Sequence, residues 1–129
     1  MPIRPEFELQ TDTVPGLLRI RYIGHVTAGG MKACCSEVER LLPRMVRGFT
    51  VLTDLSRLES MDLDCVPHLA KIMDLCRIRS IGTVVRIIPD SRKDIGLNIL
   101  SVLHYRRGVR IVTCETLAEA ERAIAKPPK

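Results

Sequence analysis

The stretch TDLSRLESMDLDCVPHLAKI, residues 53–72, reads as a strand that runs out into a loop and then directly into a helix. Phe49-Thr50-Val51-Leu52-Thr53 leads in as a short buried strand. Val66, Leu69, Ile72, Met73 and Cys76 then recur at helical spacing. Between them lie Asp62 and Asp64, two acids where a helix should begin. A side-chain oxygen there satisfies an open N–H group of the first turn, so Asp62 or Asp64 is expected to be the N-cap. Pro67 fits the first turn, where its missing N–H costs nothing.

Working towards the N-terminus, residues 5–10 and 17–26 both alternate, and the turn from Asp12 to Gly16 joins them as a hairpin. Thr27 precedes a helix marked by Met31, Cys34, Cys35, Val38, Leu41 and Leu42, which stops at Pro43. Working towards the C-terminus, residues 82–88 form a strand stopped by Pro89-Asp90. A third helix is marked by Ile95, Leu97, Ile99, Leu100, Val102 and Leu103. Residues 109–112 are a last strand. Thr116 and Glu119 form a Thr-x-x-Glu box opening a final helix through Ala120, Ala123 and Ile124. The order β-β-α-β-α-β-α-β-α predicts one α/β domain over residues 1–129. It has a mostly parallel, mixed sheet of about five strands, an N-terminal hairpin, about four helices and a loose tail from about 124 to 129.

Composition narrows the chemistry. The chain has 129 residues, 46% of them hydrophobic and 27% charged, which suits a globular core. It has no apolar run long enough to span a membrane and no apolar leader at Met1-Pro2-Ile3, so a cytoplasmic location is expected. Aromatics are 3%, too few for base-stacking platforms, so nucleic acid is not expected as a partner. The cysteines number five, with no CxxC pair and no Cys/His cluster at metal spacing. They read as reduced, buried side chains, with no metal and no cofactor expected.

The net charge of +5 is concentrated between residues 79 and 110, which hold seven basic residues against two acids. Ser91, Arg92 and Lys93, in a polar loop before the third helix, are candidates to hold an anion on free N–H groups. Arg106 and Arg107 near that helix's end are further candidates, although cations there also complement the helix dipole. Gly29-Gly30 carries neither GxGxxG nor a Walker lysine. A paired-carboxylate acid/base site at Asp62 and Asp64 would need a base, and among the neighbours only His68 offers one. The chain is therefore expected not to be an enzyme.

The order of elements and residues 54–69 together resemble the STAS domain of anti-sigma factor antagonists and sulphate transporters. The family pattern is roughly D-L-S-x, three mostly apolar residues, a hydrophobic residue, then D-S-S-G-L-x-x-L. Without a gap, Asp54, Leu55 and Ser56 take its first places, Met61 the hydrophobic one, Asp62 the aspartate and Leu69 the last leucine. Ile23-Gly24 matches the family's glycine at the end of the second strand. The resemblance implies an anti-sigma factor or kinase-like regulator as protein partner, with a serine after the aspartate that is phosphorylated. Here Leu63 stands in that place, Asp64 at the second serine and Cys65 at the glycine. Ser56 and Ser60 flank the loop but match neither serine. The expectation is a non-catalytic interaction domain, without serine switching, that docks a protein through Met61, Asp62, Leu63, Asp64, Cys65 and His68. The alternative is a module for a small anionic ligand, a nucleotide or lipid, held by the basic 79–110 region. A homodimer through the exposed edge of the 5–26 hairpin is a third expectation.

Overall fold

A computed structural model describes residues 5–12, 16–88 and 109–125. Strands β1 (Phe7–Asp12) and β2 (Leu17–Val26) form the expected antiparallel hairpin, with Phe7 opposite Tyr22 and Asp12 opposite Leu17. Helix α1 (Ala28–Leu41) follows, then β3 (Thr50–Met61), α2 (Val66–Ile78), β4 (Thr83–Ile87), β5 (Arg110–Cys114) and α3 (Leu117–Ala125). The strands lie side by side in chain order, and β2, β3, β4 and β5 are parallel. The sheet is the mixed, mostly parallel one expected. The described residues hold three α-helices rather than about four, because the helix expected near 95–105 lies outside them. The final helix, read through Ile124, is α3 and ends at Ala125, just inside the range of about 124–129 read as a tail.

Consecutive strand residues are shared between two layers. Leu18, Ile20, Tyr22, Val51, Leu55 and Val84 pack against α1 and α2 in the main core. Leu17, Leu52, Val85 and Ile87 point to the opposite face, where Ala120 and Ile124 of α3 cover them. Two covered faces explain why Val51-Leu52 and Val84-Val85 are uninterrupted apolar pairs, as parallel strands require. Both helix starts read from threonines are present: Gly30 N–H donates to Thr27 Oγ1 at 3.1 Å, and Glu119 N–H to Thr116 Oγ1 at 3.2 Å.

The main departure is β3. It does not run out into a loop after Thr53 but continues to Met61, pairing Ile23 with Arg57, His25 with Ser60 and Val26 with Met61. Two register shifts, between Arg21 and Ile23 and between Gly24 and His25, interrupt the alternation, so Leu55 and Leu58 are buried three residues apart. A strict period of two cannot detect such a bulged strand. Gly24 sits at the second shift with φ +64°, a conformation that suits glycine.

Helix α2 ends in a left-handed cap. Ile81 N–H donates to Cys76 O at 3.1 Å and Ser80 N–H to Arg77 O at 3.0 Å, and Ser80 has φ +64°. A Cβ in that conformation costs roughly 1–2 kcal/mol, part of which glycine loses again to unfolded-state entropy. Ser80→Gly is therefore expected to stabilise the protein by about 0.5–1 kcal/mol, read as a rise of a few degrees in thermal midpoint. No rise would mean that the serine is not strained.

Candidate functional site

Strands β2 and β3 run in parallel and end together, so residues 61–68 emerge from one end of the sheet beside the start of α1. Met61 is half-buried against the core. Asp62 N–H donates to Val26 O at 3.0 Å, which carries the pairing one step past the strand. A single 3-10 turn, Leu63–Cys65, leads directly into α2. Cys65 closes it, its N–H donating to Asp62 O at 3.0 Å.

The two acids do not cap the helix. Neither Asp62, at the head of the 3-10 turn, nor Cys65, at the head of α2, makes a side-chain cap bond. The 3-10 turn shifts α2 onward, so its own backbone occupies the place a capping oxygen would take. The Asp62 carboxylate turns to the neighbouring strand instead and accepts from His25 Nε2 at 3.0 Å. The other imidazole nitrogen, Nδ1, lies 2.5 Å from Ser60 Oγ. Asp64 is exposed, and His68 is half-buried with no hydrogen bond to either acid among the described residues. The base beside Asp62 is therefore His25, not His68. The sequence signal for it was Gly24, whose bulge sets the register that puts His25 opposite Ser60.

Exposure divides the expected partner contacts. Leu63 is 77% exposed and Val66 41%, an apolar pair on either side of the turn and flanked by Asp62 and Asp64. Cys65, expected among the partner contacts, is completely buried, and its S–H donates to Val26 O at 3.5 Å. It anchors the turn from beneath. Burial raises its thiol pKa, and the charge of Asp62 adds to the rise. Glu6, unnoticed in the sequence, secures the other side of this end. It accepts from Thr27 N–H at 2.6 Å, and a Cβ on Gly30 would come within 2.5 Å of it. A carboxylate at the start of α1 also complements the helix dipole.

All five cysteines are free and buried, as read from the sequence. Burial pushes the Cys34 thiol up to about 12 and raises Cys35 and Cys114 as well. Thiolate is the reactive form, so native protein should react slowly with a thiol reagent and denatured protein should titrate five groups. A fast-reacting native thiol, or fewer than five on denaturation, would contradict this.

The basic region offers less. Ser91, Arg92, Lys93, Arg106 and Arg107 lie outside the described residues. Arg86, counted with them, is buried and donates to Thr113 Oγ1 at 2.7 Å, so it belongs to the interior rather than to a surface patch. A cleft on the outer face of the sheet, lined by Arg19, Arg21, Asp54 and Leu117 among others, has its arginines already engaged. Arg19 meets Asp12 and Glu121, and Arg21 meets Asp54 and Glu8. Among the described residues no group of three His, Cys, Asp or Glu could hold a metal, and no helix is long and apolar enough to cross a membrane.

No protein-family model matches the sequence, and no curated protein sequence does. Solved structures do match. The unphosphorylated anti-sigma factor antagonist SpoIIAA superposes with a TM-score of 0.60 at 16% identity, over 93% of this chain and 99% of that one. A Shewanella loihica protein with a SpoIIAA-like fold gives 0.66 at 12% identity, over 92% of each chain. An anti-sigma factor antagonist from Mycobacterium paratuberculosis gives 0.59 at 16% identity, over 98% and 100%. The chain has the SpoIIAA-like fold that its resemblance to STAS domains implied.

Proposed function

We propose that this SpoIIAA-like domain is a non-catalytic regulator that docks a protein partner through the end of the sheet formed by residues 61–68. The observation that carries the reading is Leu63, a leucine left 77% exposed on a turn whose neighbour Cys65 is wholly buried. With Val66 it makes a small apolar centre, and Asp62 and Asp64 give it an acidic rim. Interfaces concentrate their energy in a few side chains that fill pockets in the partner, the role proposed for Leu63, and rim charges set orientation and rate of encounter. The complementary partner presents an apolar pocket edged with lysine or arginine. By analogy with the antagonists of this fold, a kinase-like anti-sigma factor is the partner of choice.

Leu63 also stands where the STAS pattern has its phosphorylated serine, and it has no hydroxyl to modify. A phosphate would bring about −1.5 to −2 charges to this turn. Asp64 supplies a single permanent one. The interaction is therefore constitutive, not switched at that position. A photo-crosslinking residue placed at position 63, and separately at exposed Ile78, tests the surface in cells. A discrete adduct from position 63 that position 78 does not give is expected. No adduct from 63, or the same set from both positions, would refute the docking site.

A further inference from the structure

The three side chains at the end of β2 and β3 form a chain of hydrogen-bonding groups, of which docking uses only the charge of Asp62. His25 and Ser60 face each other across the parallel pair, and Asp62 follows two residues after Ser60. His25 Nε2 is 3.0 Å from Asp62 Oδ1, and His25 Nδ1 is 2.5 Å from Ser60 Oγ. A carboxylate only accepts, so in neutral imidazole Nε2 carries the proton and Nδ1 presents its lone pair. The Ser60 hydroxyl must then be the donor to Nδ1. A nucleophile, a base within reach of its proton and a third group orienting that base is the arrangement that activates serine. Here paired strands hold His25 and Ser60, which fixes their geometry better than a loop would, and Asp62 follows directly after the strand end.

We propose that Ser60 is a base-activated nucleophile, a site of covalent acylation by activated carboxylic esters. This goes beyond the docking reading and does not rest on it. Ser60 Oγ attacks the ester carbonyl carbon while its proton passes to His25 Nδ1. The bond from that carbon to the leaving oxygen breaks, and the leaving group takes the proton from Nδ1. The products are O-acyl-Ser60 and a free alcohol or phenol, with His25 neutral again. Ser60, His25 and Asp62 are all exposed, so a donor reaches them without any rearrangement. An open site of this kind suits an ester whose leaving group departs readily as a stable anion. Asp62 is the positioning residue, holding the tautomer in which Nδ1 is free to accept.

The test is acetylation of the full chain by p-nitrophenyl acetate, mapped by peptide mass spectrometry. Ser36 and Ser56, both exposed, are controls within the same molecule. Base assistance contributes about 10²-fold or more, so Ser60 should acquire acetyl about 10² times faster than Ser56. In His25→Gln that excess should disappear. In Asp62→Asn, which tolerates either tautomer, it should fall to about a tenth of the wild-type excess. Lysine acetylation, which does not use His25, should be the same in all three proteins and controls for the reagent, while equal thermal midpoints report an intact fold. Acetylation of Ser60 no faster than of Ser56 in the wild type would overturn the proposal, even if no variant folded. So would an undiminished rate at Ser60 in folded His25→Gln.

Discussion

Gly82→Ala is expected to lower stability by about 3 kcal/mol, an effect at the upper end of what overpacking costs. A Cβ on Gly82 would sit 2.6 Å from Gly48 O, 3.1 Å from Gly48 C and 3.2 Å from Gly48 Cα. All three are backbone atoms, so no side chain can rotate away. Gly48 itself has φ +83° and donates its N–H to Ser80 O at 2.7 Å, while Gly82 N–H donates to Phe49 O at 2.8 Å. Making room for a methyl group means parting the two segments that start β3 and β4 and weakening both bonds. For a domain of this size the thermal midpoint should fall by about 10–15 °C. Gly29→Ala is the control. Its Cβ would meet only Thr27 Oγ1, at 3.8 Å, so its midpoint should stay near wild type or rise slightly. A Gly82→Ala protein that melts within about two degrees of wild type would show that the segments are not held this closely.

Much of this architecture can be read from residues alone, for definite reasons. The hairpin shows because Leu18, Ile20 and Tyr22 alternate with Arg19 and Arg21 on a strand whose two faces differ. Thr27 and the Thr116-Glu119 pair mark helix starts because a hydroxyl three residues before a free N–H satisfies it locally. The cysteines read correctly because their spacing forbids metal and their company is apolar. Each of these signals is contained in a few neighbouring residues.

The site was harder to read because it depends on register between strands. The bulges around Gly24 stretch β3 to Met61, and only that register brings His25 to Ser60 and Asp62. Along the chain Asp62 stands where a cap would and His68 is the nearest base, and sequence distance does not show the register that brings His25 closer. Cys65 lies beneath the proposed contact surface for a related reason. One turn of 3-10 helix swings it inward while Leu63 and Val66 remain outside. Arg86 looked like part of a charged surface, although it sits inside β4 between buried Val85 and Ile87. The order strand, turn, helix at residues 50–78 is legible because the junction is short enough to be fixed by its own residues.

The central claim is that Leu63 is the anchor of a docking surface. Its most direct test is the dissociation constant of the partner captured at position 63, measured for wild type, Leu63→Asp and Ile78→Asp. Truncating or charging an anchor of this kind costs 2 kcal/mol or more, roughly a 30-fold loss of affinity. Leu63 is 77% exposed, so the same change should move the thermal midpoint by no more than about two degrees. Ile78, 68% exposed at the far end of α2, should tolerate aspartate with no loss of binding. Weakened binding in Leu63→Asp alone, with all three proteins equally folded, is the expected result. Equal affinity for wild type and Leu63→Asp would contradict it.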